Sequence, residues 1–204
     1  MTDRTAHWQT VYTTKAETEV SWYQDDPATS LRLIRACGAT PASRIIDIGG
    51  GASRLVDALL AQGFGALTVL DISDAALATA RSRLGARAAD VQWVAADVTT
   101  WTPQTKYDVW HDRAAFHFLT EPADRAAYVD RLRAAVVSGG AVIIGTFASD
   151  GPEKCSGLPV VRYDAQSLAG TLGRSFMLVE SCTETHRTPW GSTQQFQFCR
   201  FVAR

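Results

Sequence analysis

The stretch that most constrains this chain runs Arg44-Ile45-Ile46-Asp47-Ile48-Gly49-Gly50-Gly51-Ala52-Ser53-Arg54-Leu55. An apolar, β-branched run passes into three consecutive glycines and then directly into a segment with helical periodicity. Glycines tolerate positive φ and carry no Cβ, so a ligand can approach the main chain where side chains would collide. In open α/β sheets such turns lie at the carboxyl ends of strands, where ligands bind. Taken alone, the loop also reads as a plain strand-to-helix turn.

The rest of the chain repeats the same grammar. Strands are expected at 44–48, 67–70, 91–95, 107–111 and 141–147, with near-continuous apolar content that suits a parallel sheet covered on both faces. Helices fall between them: one from Pro27 to Gly38, one over 53–61, one over 74–84 capped by Ser73 and stopped by Gly85, one from Glu121-Pro122 to Ser138-Gly139-Gly140, and one from Asp164 to Leu172. The tail changes character. Residues 176–183 and 194–202 are β-rich runs around Thr188-Pro189-Trp190-Gly191, and they predict an antiparallel pair closing the sheet. Residues 1–30 hold Trp8, Tyr12, Trp22 and Tyr23 among polar neighbours, too few for a core of their own, and are expected to fold as an aromatic arm or lid over a core at 44–204.

Composition narrows the class of partner. The chain has 204 residues, 46% hydrophobic, which suits a single domain over 1–204 that needs no disulfides. The 20 Lys+Arg nearly balance the 21 Asp+Glu, so binding through phosphate neutralisation is not expected and nucleic acid is set aside as a partner. No run of about 18 apolar residues occurs, and Met1-Thr2-Asp3-Arg4 leads into polar residues, so neither a membrane span nor a secretory signal is expected and the protein is read as cytoplasmic. Cys37, Cys155, Cys182 and Cys199 form no Cys-x-x-Cys pair, so no metal site is expected. Cys155 lies in a polar Gly/Pro loop beside Lys154; it reads either as an unremarkable loop thiol or as an exposed one whose thiolate the lysine favours.

Two acidic residues turn the glycine loop into a ligand hypothesis. Asp71 ends the second strand twenty residues after Gly51, where an acid can accept from both hydroxyls of a ribose, and Ile72 follows it. A nicotinamide fingerprint beginning at Gly49 would need glycine where Arg54 stands, which disfavours a dehydrogenase. The third strand ends Ala95-Ala96-Asp97-Val98. With these residues the chain resembles class I S-adenosylmethionine-dependent methyltransferases over about residues 44–204. The resemblance implies a Rossmann-like three-layer α/β sandwich with a seven-stranded, mostly parallel sheet and an antiparallel C-terminal strand pair. It also implies S-adenosyl-L-methionine as cofactor and S-adenosyl-L-homocysteine as product. On it, Asp47, Gly49, Gly50 and Gly51 correspond to the glycine-loop motif, Asp71 with Ile72 to the ribose site, and Asp97 with Val98 to the adenine site. Ser53 stands where many members have a further glycine.

The fourth strand delivers the reacting end of such a site, and here it reads Tyr107-Asp108-Val109-Trp110-His111-Asp112-Arg113. His111 and Asp112 are the candidates for a proton acceptor. The alternative is that Asp112 pairs with Arg113 while His111 only orients the cofactor. His117, between two phenylalanines, is expected to be a partly buried helical residue. Trp22 is expected at the cofactor, where a ring face attracts a sulfonium. A rim of Trp22, Tyr23, Trp110 and Phe116, completed by Glu153, Lys154 and Cys155 with Tyr163 behind, would suit a small, partly apolar acceptor. Ser21-Trp22-Tyr23 also resembles the entry segment of a subgroup that includes protein-lysine methyltransferases. The readings carried forward are a methyltransferase acting on a small molecule, one acting on a protein lysine, and a non-catalytic cofactor-binding subunit. A monomer or weak homodimer is expected.

Overall fold

The structure, a computed structural model, describes residues 4–204. An N-terminal helix α1 (Arg4–Thr14) and an irregular strap lead to α2 (Ala28–Ala36), whose Leu31, Leu33 and Ile34 turn inward. The core then alternates β1 (Ile45–Ile48), α3 (Leu55–Ala61), β2 (Leu67–Asp71), α4 (Asp74–Leu84), β3 (Val91–Ala95), β4 (Tyr107–Arg113), α5 (Pro122–Ala135) and β5 (Val136–Phe147). A short hairpin, β6 (Lys154–Cys155) and β7 (Leu158–Pro159), precedes α6 (Ala165–Leu172) and the long closing hairpin β8 (Phe176–Arg187) and β9 (Thr193–Ala203). The large sheet has the order β3-β2-β1-β4-β5-β9-β8. Its first five strands are parallel, and β9 and β8 are antiparallel, as the tail predicted.

The period of two along β5 divides the core into two layers. Val142 and Ile144 pack with Tyr128 and Leu132 of α5 and Leu168 of α6, whereas Ile143 packs with Leu33 and Ile34 of α2 and Leu55 and Leu59 of α3. Local signals set the helix ends. The Ser73 hydroxyl accepts from the Ala76 N–H (3.2 Å), Gly85 follows at φ +56°, and Asp164 Oδ1 accepts from the Ser167 N–H (2.7 Å).

Several boundaries differ from expectation. The second core helix starts at Leu55 because Ser53 is held in a turn, its N–H donating to the Gly50 carbonyl (2.7 Å). Helix α5 stops at Ala135, and Val136 is already extended and paired with Tyr107. Val109 then pairs with Ala141, so Ser138-Gly139-Gly140 form a bulge in the strand instead of a helix end; Gly139 takes φ +78°, and a Cβ on Gly140 would lie 2.7 Å from Val136 Cγ1. Strand β8 runs to Arg187, four residues beyond the β-rich run, because an edge strand alternates half-buried with exposed positions and so loses its continuous apolar signature. The β6–β7 hairpin occupies what read as an open loop. No helix among the described residues is long and apolar enough to cross a membrane.

Candidate active site

The carboxyl ends of β1, β2, β3 and β4 open into one cleft roofed by α1 and the strap. Its larger part is lined by Gly49, Asp71, Ile72, Asp97, Val98, Arg113 and the rings of Trp8, Tyr12, Trp22 and Phe118. A second part, sharing Tyr12, Trp22, Gly49 and Arg113, continues over Asp47, Gly50, Ser30 and His111. The cofactor-site residues expected from sequence therefore converge here, with Gly51 set beneath Asp71 and not on the surface of the cleft.

The glycines are required by close approach. Gly49 has φ +65°, and a Cβ there would meet Ala115 Cβ at 2.6 Å. Gly51 has φ +32°, and its Cβ would meet Asp71 Oδ2 at 2.6 Å, while one on Gly50 would meet Asp47 Oδ2 at the same distance. Asp71 is buried. Its Oδ1 accepts from the Ser73 N–H (2.8 Å), and burial pushes its carboxyl up to about pKa 7 against the pull of the Ser73, Gly51 and Ile72 N–H groups. Asp97 Oδ1 accepts from the N–H (2.8 Å) and hydroxyl (2.7 Å) of Thr99, and its Oδ2 receives Arg4 Nη2 from α1 (2.9 Å). Arg4 also reaches Asp124 (3.0 Å), and Gln9 Oε1 accepts from the Ser73 hydroxyl (3.1 Å), so α1 is fastened across the adenine end predicted from sequence.

The two residues proposed for proton transfer lie on opposite faces of β4. His111 is buried with Nδ1 2.7 Å from Asp47 Oδ1 and Nε2 2.9 Å from the Ser30 hydroxyl. Asp112 points away from the cleft. Its Oδ1 accepts from the Ala115 (3.0 Å) and Phe116 (3.1 Å) N–H groups, and its Oδ2 accepts from the Tyr128 hydroxyl (2.8 Å), which in turn accepts from Trp110 Nε1 (2.8 Å). Burial raises the Asp112 carboxyl to about pKa 6. It forms no ion pair with Arg113, contrary to the alternative reading, because successive strand residues face opposite ways.

Other expected rim residues are also corrected. Trp110, Phe116 and Tyr163 belong to the core. Glu153 and Lys154 are exposed, whereas Cys155 is buried under the strap with its thiol pushed up to about pKa 11 by burial, so the exposed-thiolate reading fails. His117 sits in a single 3-10 turn, where Nδ1 accepts the Phe147 N–H (3.2 Å) and burial lowers its pKa to about 3.

Sequence reasoning missed Arg113 as a cleft residue. It follows His111 by two and so shares its face, which is the signal that was available. Its Nη1 donates to the Trp22 carbonyl (2.9 Å), its Cζ lies 4.5 Å from the Phe196 ring centre, and its buried Nε and Nη2 have no hydrogen-bond partner among the described residues.

Residues 45–140 match the family described as "Methyltransferase domain". No curated protein matches the chain. Among solved structures, one reported for the conversion of a disulfide bond into a thioacetal group during echinomycin biosynthesis has a TM-score of 0.78 at 17% identity, covering 98% of this chain and 92% of the other. The N-methyltransferase NodS from Bradyrhizobium japonicum, crystallised with S-adenosyl-L-homocysteine, gives 0.69 at 19%, covering 88% and 89%. The 1,6-didemethyltoxoflavin-N1-methyltransferase of Burkholderia thailandensis gives 0.68 at 21%, covering 95% and 80%. At these identities the likeness is one of fold.

Proposed function

We propose, from the premise that this chain carries a methyltransferase domain on the class I S-adenosylmethionine-dependent methyltransferase fold, that it transfers a methyl group from S-adenosyl-L-methionine to a small molecule. The observation that carries the reading is the convergence of Gly49, Asp71, Ile72, Asp97 and Val98 on one cleft at the carboxyl edge of the sheet. The loop fits such a cofactor because it keeps three Cβ positions empty against Ala115, Asp47 and Asp71.

Asp71 would accept from the ribose hydroxyls, Asp97 from the adenine amino group, and the Val98 N–H would face the ring. Gly49 and Gly50, above Asp47, would hold the amino-acid end, with His111 as a positioning residue that fixes Asp47 from below. The cofactor supplies a methyl carbon already bonded to a positively charged sulfur, so the protein's task is alignment and exclusion of water. Trp8, Tyr12 and Trp22 close the cleft for that purpose; Trp22 Nε1 donates to the Tyr12 hydroxyl (3.1 Å), and Trp8 meets Trp22 edge-on with ring centres 5.5 Å apart.

A small acceptor is favoured over a protein side chain because the strap and α1 roof the cleft with side chains of the same chain. The relative named for 1,6-didemethyltoxoflavin, a small acceptor, agrees with this. Calorimetric titration with S-adenosyl-L-homocysteine tests the cofactor reading: micromolar binding is expected, and its loss in Asp71→Ala. Folded protein that does not bind refutes it. Incubation with methyl-labelled cofactor and host lysate should place the label in low-mass products; label in protein would favour the lysine reading, and no label at all the non-catalytic one.

A further inference from the structure

We infer that the acceptor reacts as an anion: the wall formed by Arg113 receives a small apolar molecule whose reacting atom carries negative charge, a thiolate or an acidic phenolate. The inference rests on the methyltransferase reading and names its substrate class.

Arg113 lines both parts of the cleft, yet among the described residues no acid is bonded to it. One nitrogen holds the strap at the Trp22 carbonyl, and Nε and Nη2 have no hydrogen-bond partner among the described residues. The acids close enough to act on it are otherwise engaged, Glu184 with Gln24 Nε2 (2.8 Å) and Asp47 with His111 (2.7 Å). Burial lowers its pKa only to about 10, so it stays cationic at neutral pH. A desolvated guanidinium with uncommitted N–H groups is stabilised by an anion and destabilised by a second cation. An amine acceptor attacks as the neutral base and becomes an ammonium as it takes the methyl group, a charge that would develop beside Arg113; an anion placed between Arg113 and the cofactor's sulfonium is attracted by both.

Among the described residues the groups beside Arg113 offer no ready proton acceptor, and Asp71, the lining acid held near pKa 7, is taken by the ribose in the proposed reading. Burial raises Tyr12 far above the ordinary phenol range and Cys155 to about 11, so both stay protonated. Both ring nitrogens of His111 are engaged, and Asp112 faces the core. The acceptor must therefore arrive without its proton. Its lone pair forms the new bond to the methyl carbon as the carbon–sulfur bond breaks, and that bonding pair stays on the sulfur. The acceptor's negative charge and the sulfonium's positive charge cancel, and no proton moves in the step. The rings of Trp8, Trp22 and Phe118 would enclose the acceptor's apolar body.

The test uses two probes of nearly equal shape, 4-nitrophenol and 4-nitroaniline, titrated calorimetrically into the full chain loaded with S-adenosyl-L-homocysteine at about pH 8. Absorbance reports whether the bound phenol is ionised. The phenolate should bind at least about tenfold more tightly than the aniline, as one charge-assisted hydrogen bond would supply. Arg113→Met should abolish that preference and Arg113→Lys should retain most of it, each checked for folding by its affinity for S-adenosyl-L-homocysteine. Equal binding of the two probes, tighter binding of the aniline, binding of neither, or a preference that survives Arg113→Met would overturn the inference, and the wild-type comparison decides even if a variant does not fold. Should S-adenosyl-L-homocysteine itself fail to bind, the methyltransferase reading falls first; if it binds and the phenolate preference is absent, only the anionic-acceptor inference falls.

Discussion

His111 and Asp47 are register partners on adjacent parallel strands, and their side chains meet at 2.7 Å beneath the glycine loop. The carboxylate lies against Nδ1 and the Ser30 hydroxyl against Nε2 (2.9 Å), so both ring nitrogens are engaged. His111→Ala strands a buried carboxylate and should cost about 1–3 kcal/mol of stability, read as a lowered denaturation midpoint. Affinity for S-adenosyl-L-homocysteine should fall with it, because Asp47 supports Gly50. Turnover lost with cofactor affinity and stability intact would instead mark His111 as a proton acceptor.

The ribose contact proposed for Asp71 would make cofactor binding pH-dependent. Burial raises its pKa to about 7 in the ligand-free fold, so about half the carboxyls carry a proton at that pH. Two ribose hydroxyls donating to it, as proposed, would favour the charged form and lower the pKa, so binding would release a proton. Affinity for S-adenosyl-L-homocysteine should rise from about pH 6 to about pH 8 and then level off. Calorimetry in buffers of different ionisation enthalpy should show proton release near neutrality; proton uptake would contradict the assignment. For the fold alone the sign is the reverse. The protonated acid contributes its full stability below about pH 4, and that contribution is lost as pH rises through 7.

The strand–glycine–helix grammar, the acid ending β2 and the Asp97-Val98 pair depend on neighbours in the chain, and they point to the cleft that the structure shows. Arg4 on Asp97 and Ser30 on His111 join residues 93 and 81 positions apart, and nothing in the local context of either partner announces the contact. For β4 the position was legible and the direction was not. Alternation makes His111 and Arg113 share one face and Asp112 the other, but which face meets the cleft is decided by α5, whose Tyr128 hydroxyl claims the Asp112 carboxylate.

Gly51→Ala isolates the close approach at the ribose end. The residue sits at φ +32°, and the new methyl would lie 2.6 Å from Asp71 Oδ2 and 3.1 Å from Ala76 Cβ. Strain at such a position costs about 1–3 kcal/mol. Relief by shifting Asp71 would misplace the ribose acceptor. The expected result is a lower thermal midpoint together with at least about tenfold weaker S-adenosyl-L-homocysteine binding. A Gly63→Ala control, at φ +85° but with open space around its Cβ, should lose stability and keep affinity.

Arg4 fastens α1 across the cleft through Asp97 (2.9 Å) and Asp124 (3.0 Å), both part-exposed ion pairs. Pairs of this kind contribute about 1 kcal/mol or less, too little to decide cofactor affinity but enough to change how fast the roof opens. Arg4→Ala should therefore leave the fold intact and speed S-adenosyl-L-homocysteine release by about threefold to fivefold. Trp8 and Trp22 line the same cleft, so stopped-flow tryptophan fluorescence reads the release directly. Salt should accelerate release from the wild type toward the variant's rate and have little effect on the variant, because screening weakens the same two ion pairs that the substitution removes. Release rates that are equal in wild type and variant at low salt would show that α1 is held by Gln9 at Ser73 and by the contact of Trp8 with Phe118, not by Arg4.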